Sequence, residues 1–365
     1  MNAYKTQETH SDFKIRGQHF SNEELKEAAF SFIKEDEAYE AEIGRFLQDW
    51  LNEKAYVTVH TSGSTGKPKL IRLRKDAMIN SAIATGDFFK VKNGTNALLC
   101  LPANYIAGKM MLVRAMVLGW DLDLVSPKAN PLDHLYKLYD FCAMTPFQLD
   151  NSIGRLHLIN KLIVGGGSVS ENLKNLLQDK KAKVYETYGM TETITHIAAR
   201  RINSKKAMER NENPFKLLPN VSISTDDRNC LVIQASKLSE EEVVTNDVVE
   251  IVSDNKFLWK GRLDNVINSG GIKIFPEEVE RKLQKLISQR FFITSLPDDA
   301  LGQKLVLFVE ANFSEVEQKE LFSKIKNLEM LDKYEKPKKI FFVEKFEETP
   351  TGKINRMNTV KGKSA

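Results

Sequence analysis

Residues 61–69 read TSGSTGKPK, a run of small and hydroxyl residues set between the strand-like stretches YVTVHT and LIRL. That composition suits an oligophosphate. Gly63 and Gly66 let the backbone bend and approach a ligand. Thr61, Ser62, Ser64 and Thr65 supply hydroxyl donors, and Lys67 adds charge. A Walker loop places four residues between its glycines and a Ser or Thr after the lysine to meet Mg²⁺. Here Gly63 and Gly66 are too close, and Lys67 is followed by Pro68, which has neither a hydroxyl nor a backbone N–H. The phosphate-holding physics survives and the P-loop NTPase reading fails. The remaining structural reading is a flexible Gly/Ser turn between two strands.

The elements around the loop decide what it can be aimed at. SNEELKEAAF opens a helix, with Ser21 and Glu24 at capping-box spacing. Tyr39, Ile43, Phe46, Leu47, Trp50 and Leu51 fall on one helical face. Beyond Ala55, apolar runs (YVTVHT, NALLCLP, DLDLVS, FCAMT, KLIVGG, KVYETYG) alternate with helical stretches (KDAMINSAIATGDFF, GKMMLVRAMVLG, SENLKNLLQDK). Alternation with near-continuous apolar strands predicts an α/β fold with mainly parallel, helix-covered sheets. After about Ile202 the strands CLVIQAS, DVVEIVSD and KFLWKGRLD come at hairpin spacing, a β-rich subdomain. The pattern changes again near residues 262–264, where a small α+β region begins, so the expected domains are 1–262 and 263–365.

Composition narrows the function classes. With 42% apolar and 28% charged residues the chain is a globular protein, and its net charge of +4 leaves no strong basic field for nucleic acid. The apolar run KMMLVRAMVLGW is broken by Arg114 and too short to span a bilayer. Cys100, Cys142 and Cys230 form no metal or disulfide spacing, and the polar N-terminus carries no signal core. These features predict a cytoplasmic protein with no membrane insertion. The basic tail KINRMNTVKGKSA reads as a frayed, solvated end.

Later motifs give the loop a context. TSGSTGKPK resembles the phosphate loop of the adenylate-forming superfamily, which holds acyl-CoA synthetases, adenylation domains of peptide synthetases and luciferases. YETYGMTE (185–192) resembles that family's Y-G-x-T-E segment, and VVTNDVVEI its T-G-D segment, with Asn246 in place of glycine. WKGRLDNVINSGGIKIFPEEVE resembles its hinge segment, and PTGKINR the segment carrying its lysine. The motifs occur in family order from Thr61 to Arg356, and the N-terminal region is shorter than usual for the family.

The resemblance implies a reaction in which a carboxylate and ATP form an acyl-adenylate and pyrophosphate, before the thiolate of coenzyme A takes the acyl group. It implies that Lys67 and the loop hydroxyls hold the outer phosphates. Thr191 would bond a phosphate, and Glu192 would bind Mg²⁺. Gly165, Gly166 and Gly167 would line the nucleotide and acyl pocket, with Tyr188 stacked on adenine beside Gly189. Asp247 would take the ribose hydroxyls, and Arg262 would brace the same ribose or the phosphate. Lys353, on a small mobile C-terminal domain, would bridge the carboxylate and the α-phosphate, with Asp264 as hinge. After adenylation that domain would turn, and Gly270–Gly271 would help form the thiol tunnel.

For the acid, LPANYIAGKMMLVRAM resembles the family's L-P-x-x-H-x-x-G segment, with Tyr105 where histidine is usual. Lys109 and Arg114 read either as pocket cations for a second carboxylate or as helix-surface charge. YGMTETITHIAAR resembles the o-succinylbenzoate–CoA ligases of menaquinone biosynthesis, as does the compact chain. That makes Thr193, Thr195 and His196 pocket candidates, although a buried histidine bonded to backbone would look the same. The implied partners are an aromatic carboxylic acid, ATP and CoA, and a homo-oligomer is compatible with the sequence. The alternatives are another aryl- or acyl-CoA ligase, an enzyme loading a carrier protein, and a non-catalytic nucleotide binder.

Overall fold

The computed structural model describes residues 9–34, 37–61, 69–204, 213–348 and 354–362. A short β1 (Lys14–Ile15) and β2 (Gln18–His19) precede α1 (Asn22–Lys34) and α2 (Ala38–Leu51). The Ser21–Glu24 capping box is present in both directions, at 2.7 and 3.3 Å. Then follow β3 (Tyr56–Thr61), β4 (Lys69–Arg74), α3 (Lys75–Phe89), β5 (Asn96–Leu99), α4 (Ile106–Leu118), β6 (Asp121–Leu124) and β7 (Tyr139–Met144). The chain continues through α5 (Pro146–Ser152), β8 (Ile159–Val164), α6 (Glu171–Leu176), β9 (Lys183–Gly189) and β10 (His196–Arg201). The strands β11 (Phe215–Leu217), β12 (Ser222–Thr225), β13 (Cys230–Gln234), β14 (Val243–Ser253) and β15 (Lys256–Arg262) complete this part.

One mixed sheet runs β12-β13-β14-β15-β11-β10-β9-β8-β7-β5-β6-β1-β2. The stretch from β9 to β1 is parallel throughout. The β-rich region is therefore not detached. It joins the parallel sheet through β10, which begins at His196, before the composition shift near Ile202, and pairs antiparallel with β9. Both faces of the parallel half are covered. Ala97, Leu99, Phe141 and Ile163 face one core with α2, α3 and α4. Leu98, Cys142, Leu162 and Val164 face the other. The helix α4 is apolar nearly all round and is buried from Gly108 to Met116, which is why its two cations end inside the protein. β3 and β4 form a separate antiparallel pair, Thr61 opposite Lys69.

A second lobe has its own core. It comprises β16 (Ile267–Ser269), β17 (Ile272–Ile274), α7 (Pro276–Leu283), β18 (Phe291–Asp298), β19 (Gly302–Glu310), α8 (Glu315–Lys326), β20 (Lys339–Val343) and α9 (Arg356–Lys361). Val279, Leu283, Ile293, Leu305 and Leu307 fill one side of its sheet, and Phe292, Val306, Phe308 and Phe346 the other. No helix among the described residues is long and apolar enough to cross a membrane.

One expectation changes here. The tail does not fray over 354–362, because α9 docks through Arg356 onto Glu280 and buries Thr359. Cys100, just after β5, and Cys142, on the neighbouring β7, come to an Sγ–Sγ distance of 3.7 Å, and both are buried free thiols.

Candidate active site

A cleft of about 480 Å³ opens between the C-terminal ends of the parallel strands and the second lobe. Its large-lobe wall includes Gly166, Gly167, Tyr188, Gly189, Asp247 and Trp259, and its opposite wall Glu277, Glu280, Arg281 and Arg356. The loop after β8 starts at Gly165 and turns at Gly166, whose φ of +83° suits glycine. The Glu186 carboxylate anchors this loop, accepting from Val169 N at 3.2 Å and from Arg200 Nε at 2.8 Å. Burial works against ionisation of Glu186, but the Arg200 and Lys174 charges, with the hydrogen bonds from Arg200 and Val169, together outweigh it and hold the carboxyl below its usual range.

Tyr188 lies near the end of β9 with its ring edge-on to Phe257 at 5.2 Å and its hydroxyl donating to Asp247 Oδ2 at 2.7 Å. Burial and then the Asp247 charge push the phenol pKa up, so it remains a donor. Trp259 Nε1 donates to Asp247 Oδ1 at 3.1 Å. A carboxylate has about four acceptor positions, so Asp247 retains capacity for further hydroxyl donors from the cleft. That arrangement fits a nucleoside: an aromatic face, a glycine loop and an acceptor carboxylate share one wall. Arg262 lies opposite Asp247 across β14 and β15. Its side chain meets Asp264 Oδ2 at 2.8 Å, and Asn246 Nδ2 donates to Asp264 Oδ1 at 3.1 Å. Asn246, at the position usual for glycine, thus helps to hold Asp264.

Thr191 and Glu192 sit on a single 3₁₀ turn after Gly189, with Glu192 exposed. Among the described residues no group of His, Cys, Asp or Glu could cage a metal. A lone exposed carboxylate nevertheless fits Mg²⁺, which binds through one or two carboxylates together with substrate phosphates. Ser62, Gly63, Ser64, Thr65, Gly66, Lys67 and Lys353 lie outside the described residues. Thr61 closes β3. Ile354 bridges Glu348, and Asn355 N donates to Glu347 O at 2.7 Å, so the chain is tied down immediately after Lys353.

The acid-side candidates separate. Lys109 Nζ donates to Ala103 O at 2.7 Å and stands 5.1 Å from the Phe46 ring centre. It is buried, with its pKa lowered by that burial, and it ties α4 to the preceding loop rather than facing a pocket. Thr193 is also turned inward, its hydroxyl engaged by Met190 N at 3.1 Å and Thr195 O at 2.8 Å. Tyr105 stands exposed just before α4.

Arg114 differs from both. It is 1% exposed, no carboxylate pairs with it among the described residues, and its Nε has no partner. Among the described residues its Nη2 reaches only Thr195 Oγ1 and His196 Nδ1, each at 3.4 Å. Burial alone lowers its pKa to about 9. The Thr85 hydroxyl spends its proton on Ser81 O at 2.9 Å, so it accepts from His196 Nε2 at 3.3 Å. His196 is therefore neutral with its proton on Nε2, and burial followed by the Arg114 charge pulls its pKa well down. Ser81 Oγ is a second orphaned polar atom here, beside a void of about 10 Å³ that has room for about one water. Residue type alone did not reveal Ser81 or Thr85, since both sit in an ordinary helical pattern.

In the second lobe, Arg356 Nη2 lies 3.1 Å from Glu280 Oε2 and its Nη1 donates to Ile293 O at 3.2 Å. Burial raises the Glu280 carboxyl to about 7 although Arg356 opposes it. Since the folded state holds this proton more tightly than the unfolded chain, its contribution is greatest below about 4.5 and is lost as pH rises through about 7. In urea titrations of the full chain, Glu280→Gln is expected to flatten the pH dependence of second-lobe unfolding between pH 5 and 8, by on the order of 2–3 kcal/mol. An unchanged slope would refute this assignment.

Residues 7–230, more than half of the chain, match the family model described as AMP-binding enzyme. The 2-succinylbenzoate–CoA ligase of Lactococcus lactis subsp. lactis (strain IL1403) is 24% identical over 330 residues, 84% of this chain and 71% of that protein. An acyl-CoA synthetase (AMP-forming)/AMP-acid ligase II-like protein from Dyadobacter fermentans DSM 18053 is 38% identical, with a TM-score of 0.59 over 90% of this chain and 97% of that one. The O-succinylbenzoate coenzyme A synthetase (MenE) of Bacillus subtilis, solved with ATP and magnesium ion, shares the fold at 20% identity, with a TM-score of 0.71 over 83% of this chain and 69% of that one. Family match and fold agree with a cleft built around a glycine loop, Tyr188 and Asp247: the chain belongs to the AMP-binding enzyme family.

Proposed function

We propose that the protein is an ATP-dependent acid–CoA ligase working through an acyl-adenylate, with o-succinylbenzoate as its acid. Family membership and the nucleoside-shaped wall support the ligase reading. The acid is carried by one observation: Arg114, a buried guanidinium with no counter-ion among the described residues, next to Thr195 and His196. A buried charge is costly unless paired, so this position calls for an anion from outside the chain. The reacting carboxylate of any acid must reach the α-phosphorus, so an anion at Arg114 would be a second carboxylate. The relatives named as 2-succinylbenzoate–CoA ligases act on an acid of that kind.

In this reading Tyr188 and the Gly165–Gly167 loop take the adenine, and Asp247 accepts the ribose hydroxyls. Lys67 and the loop hydroxyls hold the outer phosphates, while Thr191 bonds a phosphate. Glu192 would hold Mg²⁺, which when bound neutralises phosphate charge. A carboxylate oxygen attacks the α-phosphorus as the bond to pyrophosphate breaks, and Lys353 steadies both reacting groups. The CoA thiolate then attacks the acyl carbon, and AMP leaves. Arg356 borders the cleft while the Gly270–Gly271 turn does not, which supports assigning this lobe orientation to the first half-reaction.

The test is pyrophosphate release from ATP with a panel of acids, with and without CoA. We expect o-succinylbenzoate to exceed benzoate in kcat/KM by about ten- to a hundred-fold, the worth of one charge-assisted hydrogen bond at ~1.5–3 kcal/mol. Equal rates would contradict the pocket argument. Pyrophosphate without CoA consumption would favour carrier loading, and no release with any acid a nucleotide binder.

A further inference from the structure

We propose that Thr193 is a positioning residue: its hydroxyl locks a strained turn that sets Thr191 and Glu192 on one side against Thr195 and His196 on the other. This rests on the nucleotide-site reading above. Ile194 has φ +66° and ψ −58°, the positive-φ conformation at the centre of a γ-turn, which a β-branched residue rarely adopts. Thr195 N donates to Thr193 O at 2.7 Å across it, closing a strained three-residue turn. Such strain persists only where the surroundings over-determine it, and it gathers at functional sites.

Two features enforce it here. The Ile194 side chain is 2% exposed within the main core, so the residue is pinned from below. The hydroxyl of Thr193, a residue 1% exposed, accepts from Met190 N at 3.1 Å and donates to Thr195 O at 2.8 Å, clasping the turn from both ends. The backbone leaves little slack. A Cβ on Gly189 would stand 2.2 Å from Thr195 O and 2.4 Å from the His196 Cα. Between these fixed points Glu192 points out to solvent, while Thr195 Oγ1 and His196 Nδ1 face Arg114. Without the clasp Ile194 can relax to negative φ, which re-aims the peptide carrying Thr191 and Glu192. Their distance from a bound triphosphate then changes, although neither side chain has been altered.

The experiment is calorimetric binding of MgATP and of AMP to the full chain and to Thr193→Val and Thr193→Ser. We expect Thr193→Val to weaken MgATP by about tenfold or more, as loss of an outer-shell partner does, and AMP by less than about twofold. Thr193→Ser, which keeps the hydroxyl, should restore MgATP affinity. Equal weakening of both nucleotides, no weakening, or failure of serine to restore overturns the proposal. Should Val not be accommodated, Thr193→Ala removes the hydroxyl without adding bulk and is measured in the same way. If neither folds while serine does, the clasp serves the fold rather than the site and the proposal is overturned. If the unaltered chain itself binds no MgATP, it is the nucleotide-site reading that fails.

Discussion

Lys353→Ala is expected to cut acyl-adenylate formation by about 10²–10³-fold, yet to leave turnover of pre-made acyl-adenylate with CoA largely intact. Adenylation brings a carboxylate up to a phosphate, and a charged donor held where negative charge gathers typically contributes that much. The second half-reaction has no such encounter. Lys353 can deliver this only if its backbone is held at the cleft, and Arg356, three residues on, borders the cleft. Ile354 is bridged to Glu348, and Arg356 is clamped by Glu280 and by Ile293 O on the cleft wall. The check is single-turnover pyrophosphate release set beside CoA consumption from synthetic adenylate. Equal loss in both half-reactions would remove Lys353 from the role assigned to it.

Arg114→Met is expected to move activity and stability in opposite directions. The guanidinium sits in the core of α4 with no anion to offset its desolvation among the described residues. Replacing a buried, poorly compensated charge with an apolar side chain of similar volume is often neutral or stabilising, by about 1–4 kcal/mol. The ligand-free protein should therefore melt at the same or a higher temperature. In contrast, kcat/KM for o-succinylbenzoate should fall about ten- to a hundred-fold or more, with benzoate little affected. Thermal denaturation beside kinetics on both acids reads the outcome. A large drop in melting temperature with equal losses for both acids would make Arg114 a structural cation.

Local pattern was enough for much of the fold. The Ser21–Glu24 capping box, the helical stretch KDAMINSAIATGDFF and the alternation of strands with helices are all present, because each depends on neighbours within a few residues. The tail KINRMNTVKGKSA misled because docking of its described part, 354–362, depends on Glu280, far upstream in the chain. Cys100 and Cys142 likewise carry no spacing signal, since their closeness is set by strand order in a parallel sheet.

The acid-side residues separate the two kinds of information most sharply. The sequence alone determined that two cations lie on one apolar helix and that Thr193, Thr195 and His196 follow a nucleotide motif. Only the tertiary structure decided which of them are already engaged. Lys109 finds Ala103 O and the Phe46 ring, Thr193 finds Met190 and Thr195, and Arg114 finds two weak contacts and no counter-ion among the described residues. Hydrophobic periodicity fixes the face on which a side chain lies. Whether a buried charge there is satisfied depends on groups up to 82 residues away, and those meet it only once folding brings His196, at the start of β10, against Arg114.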